Sequence, residues 1–386
     1  MDLRHARLAV CALALVCKAA TGARAQTTPA ATPAPAETAG TQPQETVRVF
    51  SEEVLLPVRV TDARGRFEPS VERDELLVLE DGVPQEVTSA RHLPASVLLV
   101  VSTAGELNPA MKVSTTRATA AHVVSRLRAG DRVSVLQYGA GVETVQGWTE
   151  DREAAVGAIH ARLSSKRGAR LAAALGAALP RLEEMPAGNR HLVLITDGVD
   201  DSGDGSESAR RAVAAVLASG ATVHVIGYTQ MGRRAIRKAA PPVIVSAKKP
   251  RKTANDIAAE IMNPVKAEEK GEKPDLYVAV DLDFKLRRRR AAYERAMREG
   301  ERWLGALAEE AGGEMSLPLT AEEMLAAAAS VARDIDSQYV VAYRPKRPLS
   351  TAVRDEYRRV EVVARRIGLS VSTRRGYVVP PAPEEK

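Results

Sequence analysis

The sequence predicts an α/β fold, doubly wound around a mostly parallel sheet, with additional β structure flanking it. Strand-like and helix-like segments alternate from residue 96 to residue 337, an order typical of a parallel sheet covered by helices on both faces. The runs at 97–101 and 191–196 are largely apolar, as expected of strands that are buried on both sides. Residues 47–95 and 338–380 are strand-like without intervening helices, which predicts the flanking β structure.

The segment at residues 1–25 is predicted to be a secretory signal peptide. Basic residues precede a short apolar run that begins at Leu8, and Ala23-Arg24-Ala25 offers a small-residue cleavage site. The run is shorter than the roughly 20 residues that span a bilayer. A buried N-terminal helix and a lipoprotein anchor at Cys17 are the alternatives. We therefore expect an exported protein, periplasmic or secreted, with no transmembrane helix in its mature chain.

The amino-acid composition disfavours some classes of binding partner. Both cysteines, Cys11 and Cys17, lie inside the predicted signal peptide, so we expect neither a disulfide nor a thiolate metal site in the mature chain. Aromatic residues make up 3% of the chain, which disfavours the stacking platforms that bind nucleic acid. The formal net charge of +6 favours a protein partner or an anionic envelope polymer, although codon composition alone also explains a high arginine content.

The segments before and after the alternating region have distinct compositions. Residues 26–46 offer almost no large apolar side chain to bury, so we expect a disordered linker. Residues 47–95 form a predicted small β module, in which Asp81-Gly82 between strand-like runs indicates a hairpin. Residues 338–380 form a predicted C-terminal β segment, which is a candidate to pair with the first module.

Residues 96–337 are expected to form the α/β domain, with an insertion of mixed structure at about 230–290. Helical periodicity, with glycines at several helix ends, separates the helices from the strands. The predicted order is strand 97–101, helix 110–129, strands 132–138 and 143–148, helices 151–163 and 169–184, strand 191–196, helix 207–219, strand 221–228, a strand at 276–282 within the insertion, helix 291–311, strand 314–317 and helix 320–337.

The candidate binding site lies at the carboxyl ends of two buried strands. In an open parallel sheet, ligands bind beyond these ends where the strand order reverses. The loops concerned are 102–106, which reads Ser-Thr-Ala-Gly-Glu, and 197–202, which reads Asp-Gly-Val-Asp-Asp-Ser.

At these residues the chain resembles the von Willebrand factor A (VWA) family. The resemblance is carried by the apolar strand that ends in a small polar loop, by the helix after it, and by the segment Leu194-Ile195-Thr196-Asp197-Gly198. The flanking segments 80–82, 337–339 and 374–377 look like a group of VWA-related proteins abundant in acidobacteria. The resemblance covers roughly 47–380 apart from the insertion, and it implies an α/β module that binds other proteins.

The resemblance also implies a metal site, which this chain matches poorly. The family's metal ion-dependent adhesion site uses an Asp-x-Ser-x-Ser loop, a Thr and a further Asp around Mg²⁺. The corresponding residues here are Ser102, Ala104 and Glu106 on the first loop, Ala169 at the Thr position, and Asp197. Only Asp197 matches, so we expect a degenerate site without a metal cofactor. Binding of Mg²⁺ by Asp197 with Glu106 is the alternative.

A second acidic segment partly resembles a calcium site. Asp200, Ser202, Asp204 and Gly205 resemble the front of an EF-hand loop, but Arg211 stands where a bidentate Glu is required. Stabilisation of the following helix by acids at its N-terminus is the favoured interpretation.

Two basic clusters are the remaining functional candidates. Either they are solvated loop charge, or they contact an acidic partner or an anionic envelope polymer. They comprise Lys248, Lys249, Arg251 and Lys252 in one cluster, and Arg287, Arg288, Arg289 and Arg290 in the other.

The sequence carries no enzyme signature: it has no H-E-x-x-H, no G-x-S-x-G and no phosphate-binding loop. We therefore predict an exported, non-enzymatic protein-interaction module with a degenerate metal site. The alternatives are a metal-dependent adhesion protein that uses Glu106 and Asp200 as substitute ligands, and a hydrolase with an unrecognised site.

Overall fold

A computed structural model of the chain describes residues 53–104, 112–201, 205–239, 245–246, 277–278 and 284–381. The predicted signal peptide and linker lie outside these ranges. Within them the fold class is confirmed: a mostly parallel α/β sheet is accompanied by a curled antiparallel sheet. Among the helices of these ranges, none combines the length and the apolar character required to span a membrane.

The strands follow the predicted order closely. They are β1 (Val54–Thr61), β2 (Leu76–Glu80), β3 (Val83–Arg91), β4 (Ser96–Ser102), β5 (Arg132–Tyr138), β6 (Val142–Thr149), β7 (Arg190–Thr196), β8 (Thr222–Gly227), β9 (Val245–Ser246), β10 (Tyr277–Val278), β11 (Met315–Ser316), β12 (Gln338–Arg344), β13 (Glu356–Ala364), β14 (Ser370–Thr373) and β15 (Gly376–Val379).

The helices alternate with the strands of the α/β sheet. They are α1 (Val113–Ser125), α2 (Arg152–Arg162), α3 (Leu171–Glu183), α4 (Gly205–Ala218), α5 (Thr229–Ala239), α6 (Phe284–Glu310) and α7 (Ala321–Asp336). Short 3₁₀ turns occur at Arg73–Glu75 and Leu349–Thr351.

The α/β sheet has the order β11-β8-β7-β4-β5-β6, and its strands are parallel except for the edge strand β6. Its central strand β4 is buried at every residue, as its apolar sequence predicts. Leu99 packs among α1, α2 and α7, whereas Leu98 packs among α3, α4 and α6 on the opposite face. Full burial of one such side chain contributes about 1.5–3 kcal/mol, so this two-sided core is what holds the sheet in place.

The curled sheet joins strands from both ends of the described chain. Its order is β14-β1-β12-β3-β2-β13-β15, with Val58 opposite Tyr339 where β1 meets β12. An ion pair lies in its interior, with 3.1 Å between Arg358 Nη1 and Glu80 Oε1. Tyr343 and Tyr377 each donate a hydrogen bond of 2.7 Å to the second carboxylate oxygen of Glu80. These donors offset the cost of burying that charge.

The start of the long helix α6 differs from the sequence prediction. Helix α6 begins at Phe284 rather than at residue 291, so the Arg287–Arg290 cluster belongs to the first turns of a helix and not to a loop of the insertion. Of the strand expected at 276–282, the structure describes Tyr277–Val278, which form β10 and pair with β9. The helix start was missed because its first turns lie beyond the sheet and carry no apolar stripe.

The curled sheet contacts the α/β domain through polar groups. Arg59 of β1 forms ion pairs of 2.8 Å with Asp334 and 2.6 Å with Glu314. Behind them the buried rings of His191 and His224 stack with their centroids 5.6 Å apart. Burial and the Arg59 charge lower the pKa of His224 to about 4, and burial also lowers the pKa of His191.

This histidine pair predicts an acid-sensitive fold. The unfolded chain binds a proton on His224 near pH 6.5, whereas the folded chain binds it only near pH 4. The contribution to stability is therefore complete above about pH 6.5 and is lost as the pH falls toward 4, by about 3 kcal/mol for His224. Urea unfolding across this window should show a shallower pH dependence for His224→Leu. The exposed His160 provides the control, since His160→Gln should leave the dependence unchanged.

Candidate functional site

The two loops singled out from the sequence lie side by side. Strands β4 and β7 are neighbours in register, with Val101 opposite Ile195, and both end at the same edge of the sheet. The chain continues from β4 to one side and returns on the other, so the order reverses between these strands. Ser102 and Asp197 therefore meet at the predicted switch point.

Hydroxyl groups surround this point. Tyr138 and Thr196 share a hydrogen bond of 2.6 Å between their hydroxyl oxygens. Ser102 Oγ and the Tyr228 hydroxyl are buried, and among the described residues neither has a hydrogen-bond partner of good geometry. Burial and the nearby Asp197 charge raise the pKa of both Tyr138 and Tyr228. These phenols are therefore neutral hydroxyl groups rather than anionic ligands.

Asp197 is the one residue that matches the family's metal ligands, and it is engaged by a helix. Its side chain is 1% exposed. The hydroxyl of Tyr293, from α6, donates a hydrogen bond to Oδ2, and the Val199 N–H donates to Oδ1 at 3.3 Å. Burial raises the pKa of Asp197, and the Tyr293 hydrogen bond opposes that rise.

The next two acids bind backbone groups of the neighbouring loop. Asp200 Oδ2 accepts from the Ala172 N–H at 2.7 Å, and Asp201 Oδ2 accepts from the Ala169 N–H at 2.9 Å. Asp200 thus stabilises the N-terminus of α3, whereas the sequence had suggested that it serves the helix after it. Ser202 and Asp204 of the suggested calcium loop lie outside the described residues.

Apolar contacts occupy the positions where the family has hydroxyl ligands. Ala104 and Ala169 lie in one cluster with the α6 residues Tyr293 and Met297. Val199, Ile236 and Ala296 complete that cluster. Glu106, the remaining candidate on the first loop, lies outside the described residues.

These side chains do not fit Mg²⁺. The ion requires about six oxygens in octahedral geometry, including carboxylates. Asp197 Oδ2 faces a phenol donor, and Ala104 and Ala169 supply no side-chain oxygen. Over the part of the chain that the structure describes, no group of three or more His, Cys, Asp or Glu side chains is arranged to hold a metal ion.

Helix α6 covers this edge through a close backbone crossing. Gly198 adopts φ +71, a conformation that favours glycine, and a Cβ on Gly198 would lie 3.0 Å from the Gly300 Cα. A Cβ on Gly300 would overlap the Gly198 carbonyl oxygen. Both residues must therefore be glycine for the helix to lie this close to the loop.

The sequence prediction missed the α6 residues of the site. Tyr293, Met297 and Gly300 are spaced at i, i+4 and i+7, which places them on one face of the helix. That spacing was available in the sequence, but nothing in it indicated that this face lies against Asp197.

The second basic cluster extends from the same helix. Arg287, Arg288 and Arg289 are exposed and Arg290 is half-buried. No acidic residue occupies the first turn of α6, so these charges add to the positive potential of the helix N-terminus. The other basic cluster, at 248–252, lies outside the described residues.

Helix α5 places further positive charge near the start of α6. Its first residue Thr229 bonds Glu301 at 2.8 Å, while Ile236 near its end packs with Met297. The helices are thus antiparallel, and the last turns of α5 lie toward the start of α6. Arg234 and Arg237 of α5 are exposed. We call the exposed residues Arg234, Arg237, Lys285, Arg287, Arg288 and Arg289 the basic surface.

Part of the chain is similar to a known domain family. Residues 97–257 match the sequence model of the von Willebrand factor type A domain. A von Willebrand factor type A protein of Catenulispora acidiphila is similar in structure, with 11% identity over 86% of this chain and 75% of that chain (TM-score 0.40). An aerotolerance-related membrane protein of Bacteroides fragilis shares 15% identity over 63% and 98% (TM-score 0.36). The PilB minor pilin of Streptococcus sanguinis shares 11% over 64% and 62% (TM-score 0.39). No curated protein sequence matches the chain.

The backbone crossing predicts opposite effects for two helix glycines. Gly300→Ala should destabilise the fold by about 1–3 kcal/mol, because its methyl group meets the Gly198 backbone. Gly176→Ala in α3 should stabilise it by up to about 1 kcal/mol, because open space surrounds that position and alanine favours a helix. Urea denaturation of both variants measures the difference. Equal effects would show that α6 does not lie against the loop after β7.

Proposed function

We propose that the von Willebrand factor type A domain of this chain is a metal-independent, non-enzymatic protein-interaction module of an exported protein. The observation that carries the proposal is the pairing of Asp197 with the Tyr293 hydroxyl beneath α6. A metal-dependent module would need Asp197 to exchange this donor for a cation, with Ala104 and Ala169 offering no side-chain oxygen. Export is supported by the predicted signal peptide.

The proposed contact is the basic surface. Its six side chains are exposed on two adjacent helices and share one sign of charge. Such a surface attracts an acidic partner at a distance and orients it during the encounter. We propose an acidic protein as the partner, and an anionic envelope polymer is the competing outcome of the binding experiment.

Metal independence has a direct thermal test. A divalent ion at 100 times its dissociation constant would stabilise the fold by about 2.7 kcal/mol. Melting of residues 26–386 should therefore be the same in EDTA, Mg²⁺, Mn²⁺ and Ca²⁺. Asp197→Ala should lower the melting temperature equally in all four. A shift with one ion that Asp197→Ala abolishes would contradict the proposal and support metal-dependent adhesion.

Charge reversal tests the basic surface. Poly-L-glutamate serves as the acidic probe, and its binding should weaken as salt rises from about 50 to about 200 mM, because screening shortens the reach of surface charges. Arg288→Glu with Arg289→Glu should weaken binding by about tenfold at low salt. Arg64→Glu with Arg354→Glu makes the same change in net charge on exposed loops next to β1 and β13, and is the matched control.

The two pairs of variants give distinct outcomes. Equal losses would mean that net charge alone drives binding and that the basic surface is not the contact. Tighter binding of polygalacturonate than of poly-L-glutamate would favour an envelope polymer over an acidic protein.

A further inference from the structure

We propose that the carboxyl edge of the α/β sheet forms a binding site for a helix, which we call the socket. In this chain the N-terminal half of α6 occupies it. The helix that fits carries a phenol, a flexible apolar side chain and a glycine at i, i+4 and i+7. A partner presenting this pattern would exchange with α6. The inference rests on one part of the proposed function, namely that no metal ion binds at the carboxyl edge.

The apolar part of the socket is made by the residues that replace metal ligands. Ala104 and Ala169 leave room for a side chain where the family has hydroxyl groups, and Met297 packs there with no exposed surface. Val199 and Ile236 pack in the same cluster. Methionine suits such a position because its unbranched side chain adapts to an irregular cavity. These alanines therefore make room for the Met297 side chain.

The polar part of the socket selects a hydrogen-bond donor. Asp197 is buried, and its Oδ2 accepts from the Tyr293 hydroxyl one helical turn before Met297. A buried carboxylate that loses its donor carries an uncompensated desolvation cost. A helix with phenylalanine at this position would therefore dock less tightly than one with tyrosine.

The third contact requires glycine at position i+7 of the helix. Gly300 lies directly on the backbone of Gly198, and a Cβ at Gly300 would overlap the Gly198 carbonyl oxygen. Glycine inside a helix costs about 1 kcal/mol relative to alanine, so its use here is explained by the close approach. Together the three positions define one helix face and fix its distance from the edge.

The two halves of α6 are held by different parts of the molecule. Leu304, Leu307 and Ala308 belong to the main core on one face of the sheet. Tyr293 and Met297 belong to a separate small cluster at the edge, with four buried members. Helix α6 has 27 residues and so a length of about 40 Å, roughly twice that of the neighbouring strands. The first half can therefore leave the socket while the second half keeps the fold intact.

A peptide supplied in trans tests the socket. The probe is a fluorescein-labelled peptide of residues 288–303, and the receptor is the chain of residues 26–386 carrying Tyr293→Phe and Met297→Ala. The tethered helix competes at an effective concentration in the millimolar range, so weakening it frees the socket. The peptide should bind this variant about tenfold or more tightly than it binds the unmodified chain.

A peptide of equal charge supplies the matched control. The same peptide with Tyr293→Phe and Met297→Ala should bind the variant chain about tenfold more weakly than the unmodified peptide does. Because the two peptides carry identical charges, attraction to acidic surface residues cannot produce this difference. Equal binding of the two peptides overturns the proposal. The proposal also fails if the variant chain still unfolds cooperatively but binds the unmodified peptide no more tightly than the unmodified chain does.

Hydrogen exchange tests the same claim without any variant. Amides of residues 288–299 in the unmodified chain should exchange through local opening at least about tenfold faster than those of residues 304–310. Equal protection of all amides along α6 would contradict the proposal that the first half of the helix can leave the edge. Neither result affects the metal titration or the poly-L-glutamate experiment, so failure here is separable from failure of the proposed function.

Discussion

The close crossing of Gly300 over Gly198 determines how the rest of the site is arranged. Because two backbones touch there, α6 is held near enough for Tyr293 to reach Asp197 and for Met297 to enter the space beside Ala169. A residue with a side chain at either position would lift the helix and separate both contacts. The phenol donor at Asp197 and the apolar packing beside Ala169 therefore depend on the same close approach of the helix.

The structure divides its polar groups between two ends of the α/β sheet. Toward the amino ends, His191 and His224 stack on each other, and Arg59 of the curled sheet forms ion pairs with Asp334 and Glu314. At the carboxyl ends, Asp197 binds α6, and the start of that helix presents the basic surface to solvent.

The sequence predicted those features that depend on local pattern. The buried strands β4 and β7 and the edge at which they meet followed from apolar runs and from the βα alternation. The first turns of α6 did not, because they lie beyond the sheet and show no apolar periodicity. Tyr293 was missed because its partner Asp197 is 96 residues away in the sequence. Arg358 occupies an inward position of β13, where an alternating strand pattern predicts an apolar residue.

The central claim is that the edge is closed by the chain's own helix and not by a cation. A crystal structure of the chain grown with Mn²⁺, with anomalous data collected at the manganese edge, tests it most directly. The account predicts no anomalous peak at Asp197, with the Tyr293 hydroxyl within hydrogen-bond distance of the carboxylate and Met297 seated beside Ala169. A manganese peak bonded to Asp197, with the first half of α6 displaced from the edge, would contradict it.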